Sequence, residues 1–240
     1  MAEKAKIALV TGANKGIGYE VSRQLAEKGY TVLLGARDVK LGEAAAAKLQ
    51  GNVSVIHIDL ASPETSTAAA RQIEEKYGVL DVLVNNAGMI DWTDGPPSTT
   101  KVDAVRKIFD TNFFGTIEVT QAFLPLVKKS SAGRIVNVSS GLGSLAQNGD
   151  TAWPFAEVKA LGYCSSKAAL NMMTVQLAYE LRATPVKVNS ADPGYTDTDL
   201  NNHGGHQTVA EGSEAIVRLA TLDENGPTGG YFDRNGRVPW

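Results

Sequence analysis

The chain is poor in the residues that staple small or secreted folds. A single cysteine, Cys164, stands among 240 residues, so no internal disulfide can form and a reducing, cytoplasmic setting is the expectation. Only three histidines occur, His57, His203 and His206, and with one thiol they offer no ligand set for a structural zinc. Positive charge is not in excess: 23 Lys and Arg stand against 26 Asp and Glu, a net charge of −3, which argues against a nucleic-acid partner. Long apolar runs are missing too. MAEKAKIALVTG passes into an apolar stretch that glycines soon close, too short for a signal peptide or a membrane span. No Pro-rich linker, repeat or shift in composition divides the chain. What remains is 43% hydrophobic and 20% charged, the balance of a soluble globular protein.

The organisation that is present has one rhythm. Short β-rich runs recur at 6–12, 31–36, 53–59, 81–87, 134–140, 186–192 and 229–233, most of them followed by a longer helical pattern. Strands alternating with helices predict βαβ units: one α/β domain over 1–240, a doubly wound parallel sheet of about seven strands with helices on both faces. In such sheets ligands bind beyond the carboxyl ends of the strands, so strand ends are where function is sought.

Each end carries something. The first runs into TGANKGIG, residues 11–18, where glycines would let backbone N–H groups and a helix N-terminus approach a pyrophosphate. The second ends in Gly35-Ala36-Arg37-Asp38. An acid that would bond a ribose 2′-hydroxyl is replaced by Ala36, and Arg37 suits a 2′-phosphate, with Lys15 as a second positive charge; NADP is therefore expected over NAD. Arg37 could instead pair with Asp38. Asp59, ending the third strand, would accept from an adenine or cap the next helix. Asn85-Asn86-Ala87-Gly88, Ser139-Ser140 and Asp192-Pro193-Gly194 bring amides, hydroxyls and a chain break to the same rim.

In GYCSSKAAL, residues 162–170, Tyr163 and Lys167 stand four apart at the start of a predicted helix, and so on one face. Alone, the pair also fits an interfacial Tyr with a snorkelling Lys.

Taken together, TGANKGIG, NNAG, VNVSS, YCSSK and PGYTDT resemble, in order and over nearly the whole chain, the motifs of the short-chain dehydrogenase/reductase family. NKGIG with LLGARD further resembles its NADPH-dependent carbonyl reductase branch. The resemblance implies a Rossmann-type domain that interconverts carbonyls and alcohols by hydride transfer, with small-molecule substrates. It implies a catalytic group of Asn112, Ser140, Tyr163 and Lys167. Tyr163 would be the general acid/base and Ser140 would orient the substrate oxygen. Lys167 would lower the Tyr pKa and bind ribose, and Asn112 would hold a proton-relay water. Gly12, Asn14, Lys15, Gly16, Ile17 and Gly18 would face the pyrophosphate, Arg37 the 2′-phosphate, Asp59 and Leu60 the adenine. Asn86, Ala87 and Gly88 would line the adenosine ribose region, and Pro193, Gly194, Thr196 and Thr198 would hold the carboxamide. The alternatives are an NAD-dependent alcohol dehydrogenase working in oxidation and a non-catalytic dinucleotide sensor.

The chain departs from the family's compact members between Ser140 and Tyr163. An insertion at about 141–161, centred on Trp153, Pro154 and Phe155, would be either a wall of the substrate pocket or a cover that obstructs subunit association. Whether the protein is a monomer or a homo-oligomer stays open. The segment at about 195–211 resembles the family's substrate loop. Trp92 is a further candidate wall, and Trp240 would fold back or join a neighbour. Cys164 should face away from the site, one helical step from Tyr163.

Overall fold

Ile7, Ala8, Leu9 and Val10 form strand β1, and all four side chains are buried. Strand geometry sends alternate residues to opposite faces, and each pair finds its own core. Ala8 and Val10 pack in one cluster with Val21 and Leu25, Ile7 and Leu9 in another with Ile73 and Phe123. A strand buried on both faces is what a parallel sheet covered by helices on both sides requires. The computed structural model describes residues 5–240; residues 1–4 of the expected 1–240 domain lie outside the described residues.

β1 is followed by β2 (Thr31–Ala36), β3 (Val53–His57), β4 (Val82–Asn85), β5 (Arg134–Val138), β6 (Lys187–Ala191) and β7 (Tyr231–Phe232). They form one seven-stranded, wholly parallel sheet in the order β3-β2-β1-β4-β5-β6-β7. The chain winds outward from β1 to β3, then crosses back to lay β4 beside β1. That reversal opens a crevice at the carboxyl ends of β1 and β4. Helices α1 (Gly16–Glu27), α2 (Val39–Ala46) and α8 (Val209–Ala220) cover one face. The other is covered by α3 (Pro63–Tyr77), α5 (Thr116–Val127) and α7 (Leu161–Glu180). Two shorter helices, α4 (Val102–Phe109) and α6 (Leu145–Gly149), lie on the connections.

Sequence and structure differ at two places. The pattern over 102–129 predicts one helix, but a π-helical turn at Asp110–Gly115 divides it. Tertiary contacts force the bulge. The Asn112 amide is tied to Met89 and Ser166, the Thr116 hydroxyl donates to the Asn112 carbonyl, and Gly115 passes so close to the Leu60 carbonyl that a Cβ would sit 2.6 Å from it. Helix α8 went unforeseen although its start signal is local. The Thr208 hydroxyl accepts from Glu211 N while the Glu211 carboxylate accepts from Thr208 N, a reciprocal cap in T-V-A-E.

Candidate active site

The turn from β1 to α1 is built by glycines and locked by the end of β4. Gly12 sits at φ +61°, a conformation L side chains rarely adopt. Thr11 Oγ1 accepts from Asn86 N and Ala87 N, each at 3.0 Å, and Asn86 Nδ2 donates to the Thr11 and Gly12 carbonyls. Gly18 is pressed against Asn86 Nδ2 and the Gly12 carbonyl, leaving no space for a methyl. The first turn of α1 therefore opens onto a cavity of about 870 Å³. Gly12, Asn14, Lys15, Gly16, Ile17, Gly18, Asn86, Ala87 and Gly88 line it; Arg37, Asp59 and Leu60 stand at one end, and Tyr163, Lys167, Pro193 and Thr198 at the other. This elongated cleft on a helix N-terminus fits a nicotinamide dinucleotide in shape and donor chemistry.

Tyr163 and Lys167 share one face of α7, with the Lys167 Nζ 5.7 Å from the Tyr163 ring centroid. Lys167 is only 4% exposed and donates to the Val138 carbonyl at 2.8 Å; burial pulls its ammonium down to about 8 from 10.5. Burial likewise pushes the Tyr163 phenol above its ordinary range. A hydrogen bond with Ser140 works the other way, while the charges of Asp192 and Cys164 add to the rise. The Lys167 Nζ hydrogen-bonds the strand carbonyl while it lies over the Tyr163 ring. Ser140 is on the Tyr163 side, whereas the Ser139 hydroxyl points back to the Lys167 carbonyl at 3.5 Å. Asn112 is 1% exposed; its Oδ1 accepts from Met89 N and its Nδ2 donates to the Met89 carbonyl and Ser166 Oγ. A Cβ on Gly88 would touch both Asn112 Oδ1 (3.4 Å) and Lys167 Nζ (3.5 Å), so the two groups meet over that glycine.

Other residues sit differently from their expected roles. Lys15 pairs with Asp199 at 2.6 Å, across from the glycine turn to the 195–211 segment. Asp38 caps α2 through Leu41 N, not pairing with Arg37, and Asp59 Oδ1 accepts from Ala61 N at the Arg37 end of the cavity. Thr196 is buried with its hydroxyl on the Pro193 carbonyl and its methyl against Gly212; Gly194 carries φ +69° and packs on the Gln207 amide. His203 lies between Asp197 and Asp199, and His206 packs edge-on against Tyr195.

The insertion and the 195–211 segment touch. Trp153, Phe155, Tyr195 and His206 form a row of edge-to-face contacts at 5.4, 5.7 and 5.8 Å, beginning beside Gly141. The insertion is pinned from behind, as Ser144 Oγ donates to the Pro239 carbonyl and Ala146 N to the Trp240 carbonyl, while the Trp240 ring stacks on Tyr231. Trp240 folds back. Cys164 faces a separate apolar cavity of about 310 Å³ between the insertion and α7. Trp92, 67% exposed, lines the main cleft with Ile90 and Thr111.

Asp94 was not foreseen. Its carboxylate accepts from Gly162 N (3.0 Å) and from Tyr163 N itself (2.9 Å), and also from Gly95 N and Thr100 Oγ1. It thus caps α7 from 68 residues away, where no local residue does. Nothing in the sequence around Tyr163 signals this, since the cap is tertiary. Asp94→Ala is expected to cost about 2–3 kcal/mol and lower Tm by about 4–10 °C, read by thermal unfolding; an unchanged Tm would refute the cap.

Comparison with known proteins places the chain. Residues 6–208 match the short chain dehydrogenase family. The chain belongs to that family, whose sheet and rim are those described above. A short-chain dehydrogenase, anuI, of Penicillium roqueforti is 38% identical over 224 residues, covering 90% of this chain and 88% of the relative. (+)-Neomenthol dehydrogenase of Capsicum annuum is 32% identical, covering 98% of each chain. Among solved structures, NADPH-bound carbonyl reductase from chicken fatty liver superposes with a TM-score of 0.85 at 26% identity, covering 98% of this chain and 94% of its own. The protein is an oxidoreductase of the carbonyl–alcohol pair, and no helix among the described residues is long and apolar enough to cross a membrane.

Proposed function

We propose that the protein is an NADPH-dependent carbonyl reductase acting on small ketones or aldehydes. The observation that carries this reading is one cleft with Arg37 at one end and Tyr163 and Lys167 at the other, with Ser140 beside the phenol. Arg37 has no ion-pair partner among the described residues, and Ala36 supplies no carboxylate to compete for a ribose hydroxyl. The dinucleotide would supply the hydride and, when oxidised, a positive charge beside the phenol. Ser140 orients the carbonyl oxygen by a hydrogen bond that strengthens as negative charge develops there. Tyr163 passes its phenolic proton to that oxygen and regains it from the Lys167 side, where Asn112 would hold a relay water. Lys167 would also hold the ribose. Gly12 to Gly18 would bind the pyrophosphate; Asp59 and Leu60 would flank the adenine, and Asn86, Ala87 and Gly88 its ribose. Pro193, Gly194, Thr196 and Thr198 would hold the carboxamide. For Thr196 and Gly194 this contribution is made by backbone, given where the Thr196 side chain points.

The likeness to neomenthol dehydrogenase suggests cyclic terpenoid alcohols and their ketones as the first panel. Steady-state oxidation of NADPH and of NADH with that panel tests the reading. Arg37→Ser is expected to raise KM for NADPH about 10- to 100-fold, leaving NADH kinetics unchanged. Preference of the wild type for NADH would overturn it.

A further inference from the structure

Asp94, in the loop that leaves β4, holds the start of α7 in place of any residue local to it. The helix opens at Ala160 without a side-chain cap, and its first three N–H groups all go to this loop. Leu161 N donates to the Gly95 carbonyl at 3.0 Å, Gly162 N to Asp94 Oδ1 at 3.0 Å and Tyr163 N to Asp94 Oδ2 at 2.9 Å. Cys164 N is the first to bond back within the helix, on the Ala160 carbonyl. The carboxylate is itself fixed, since its Oδ1 also accepts from Gly95 N and Thr100 Oγ1, each at 2.9 Å. Gly162 permits the approach: a Cβ there would lie 3.1 Å from Val105 Cα and 3.2 Å from Asp94 Oδ2.

The same loop carries part of the cleft wall. Met89 is tied to the Asn112 amide through both its N–H and its carbonyl, Ile90 and Trp92 then line the cleft, and Asp94 follows. Two wall residues therefore stand between an anchor on Asn112 and an anchor on Tyr163.

We propose that Asp94 is a positioning residue for carbonyl reduction: its two oxygens seat the start of α7 on the loop that walls the cleft, so that the Tyr163 phenol meets a bound carbonyl at a fixed place. The reason is the position of Tyr163 in its helix. The N–H groups of a first helical turn have no partner within the helix, and an uncapped turn frays. Tyr163 lies within that turn, whereas Lys167 lies one turn further in and is held by the Val138 carbonyl. Loss of the Asp94 carboxylate would thus release the acid and leave the lysine seated. Reduction needs the phenol in place: as hydride adds to the carbonyl carbon, the C=O pair moves to oxygen and that oxygen takes the Tyr163 proton. A displacement of about 1 Å in such a step costs up to about 10²-fold in rate.

The inference rests on the proposed function, and its test separates the two. Asp94→Ala and Asp94→Asn are compared with the wild type, below the Tm of each. The readings are kcat per NADPH-binding site, Kd for NADPH and the solvent deuterium isotope effect on kcat. Asp94→Ala is expected to lower kcat per site by about 10- to 100-fold with Kd unchanged. The isotope effect is expected to rise, because proton transfer from a displaced phenol becomes slower. Asp94→Asn keeps one acceptor oxygen and is expected to recover part of the rate. An Asp94 that only stabilises the fold would lower Tm and the number of binding sites, with kcat per site and the isotope effect at wild-type values. That result overturns the inference alone. Should Asp94→Ala not fold, Asp94→Asn and Thr100→Val, which takes one hydrogen bond from the same carboxylate, carry the same comparison. Wild-type protein that prefers NADH overturns the cofactor reading alone, and the same ratios are then read with NADH. Wild-type protein that reduces nothing on the panel with either cofactor overturns the proposed function and this inference together.

Discussion

Tyr163→Phe is expected to lower kcat for carbonyl reduction by about 10²- to 10⁴-fold, the range for losing a positioned proton donor. The phenol is the one acidic hydroxyl at the end of the cleft with both Ser140 and Lys167 on its flank. Phenylalanine fills the same volume, so the walls of the cleft should hold their shape. Kd for NADPH, measured by fluorescence titration, is therefore expected to be unchanged. A fall in kcat with intact cofactor affinity assigns the proton to Tyr163. Retention of more than about a tenth of wild-type kcat would exclude it as the acid.

Lys167→Met is expected to move activity and stability in opposite directions. Burial holds the folded-state ammonium at about 8, against 10.5 for the unperturbed group. The unfolded chain therefore binds more protons between these two values. Stability contributed by this residue rises with pH through that window, and the full penalty remains below it. At neutral pH the burial of this cation costs roughly 3 kcal/mol. Methionine removes the charge at similar length but leaves the Val138 carbonyl without its donor. A net gain of about 1–2 kcal/mol is expected, visible as a Tm raised by about 2–8 °C. Activity is expected to fall by at least about 10²-fold, because the ribose anchor and the proton route to Tyr163 proposed for this residue would go with the ammonium. Such opposition is what a strained functional group produces. A lower Tm for the variant at pH 7 would show that the Val138 bond outweighs the desolvation.

Much of the site could be read directly because its signals are local. TGANKGIG states a strand-to-helix turn in its glycines, and Tyr163 and Lys167 state their common face in a spacing of four. Arg37 after Ala36 is likewise visible at the end of one strand. The inner strands announced themselves as runs rich in Val, Ile and Leu, since a strand buried on both faces needs apolar residues throughout. Other features have no local mark. Asp94 lies in DWTDGPP, an ordinary turn-forming stretch, and only folding brings it to the start of α7. Asn112 looks like a poor helix former within a helical pattern; the π-helical turn that makes sense of it depends on Met89 and Ser166. Lys15 reads as a free cation for a phosphate until the 195–211 segment brings Asp199 to it.

The order of elements, the parallel sheet and the common face of Tyr163 and Lys167 were determined by the sequence alone, because periodicity and i to i+4 spacing act within one element. Tertiary structure decided what the charges bond to: the Lys167 ammonium donates to the Val138 carbonyl, and the Asp94 carboxylate accepts from the first N–H groups of α7. It also joined the Trp153 insertion to Tyr195 in one row of aromatic contacts. These depend on which strand ends and loops become neighbours. Burial then sets the electrostatic outcome, since desolvation at a site packed from several distant segments is a property of the assembled fold.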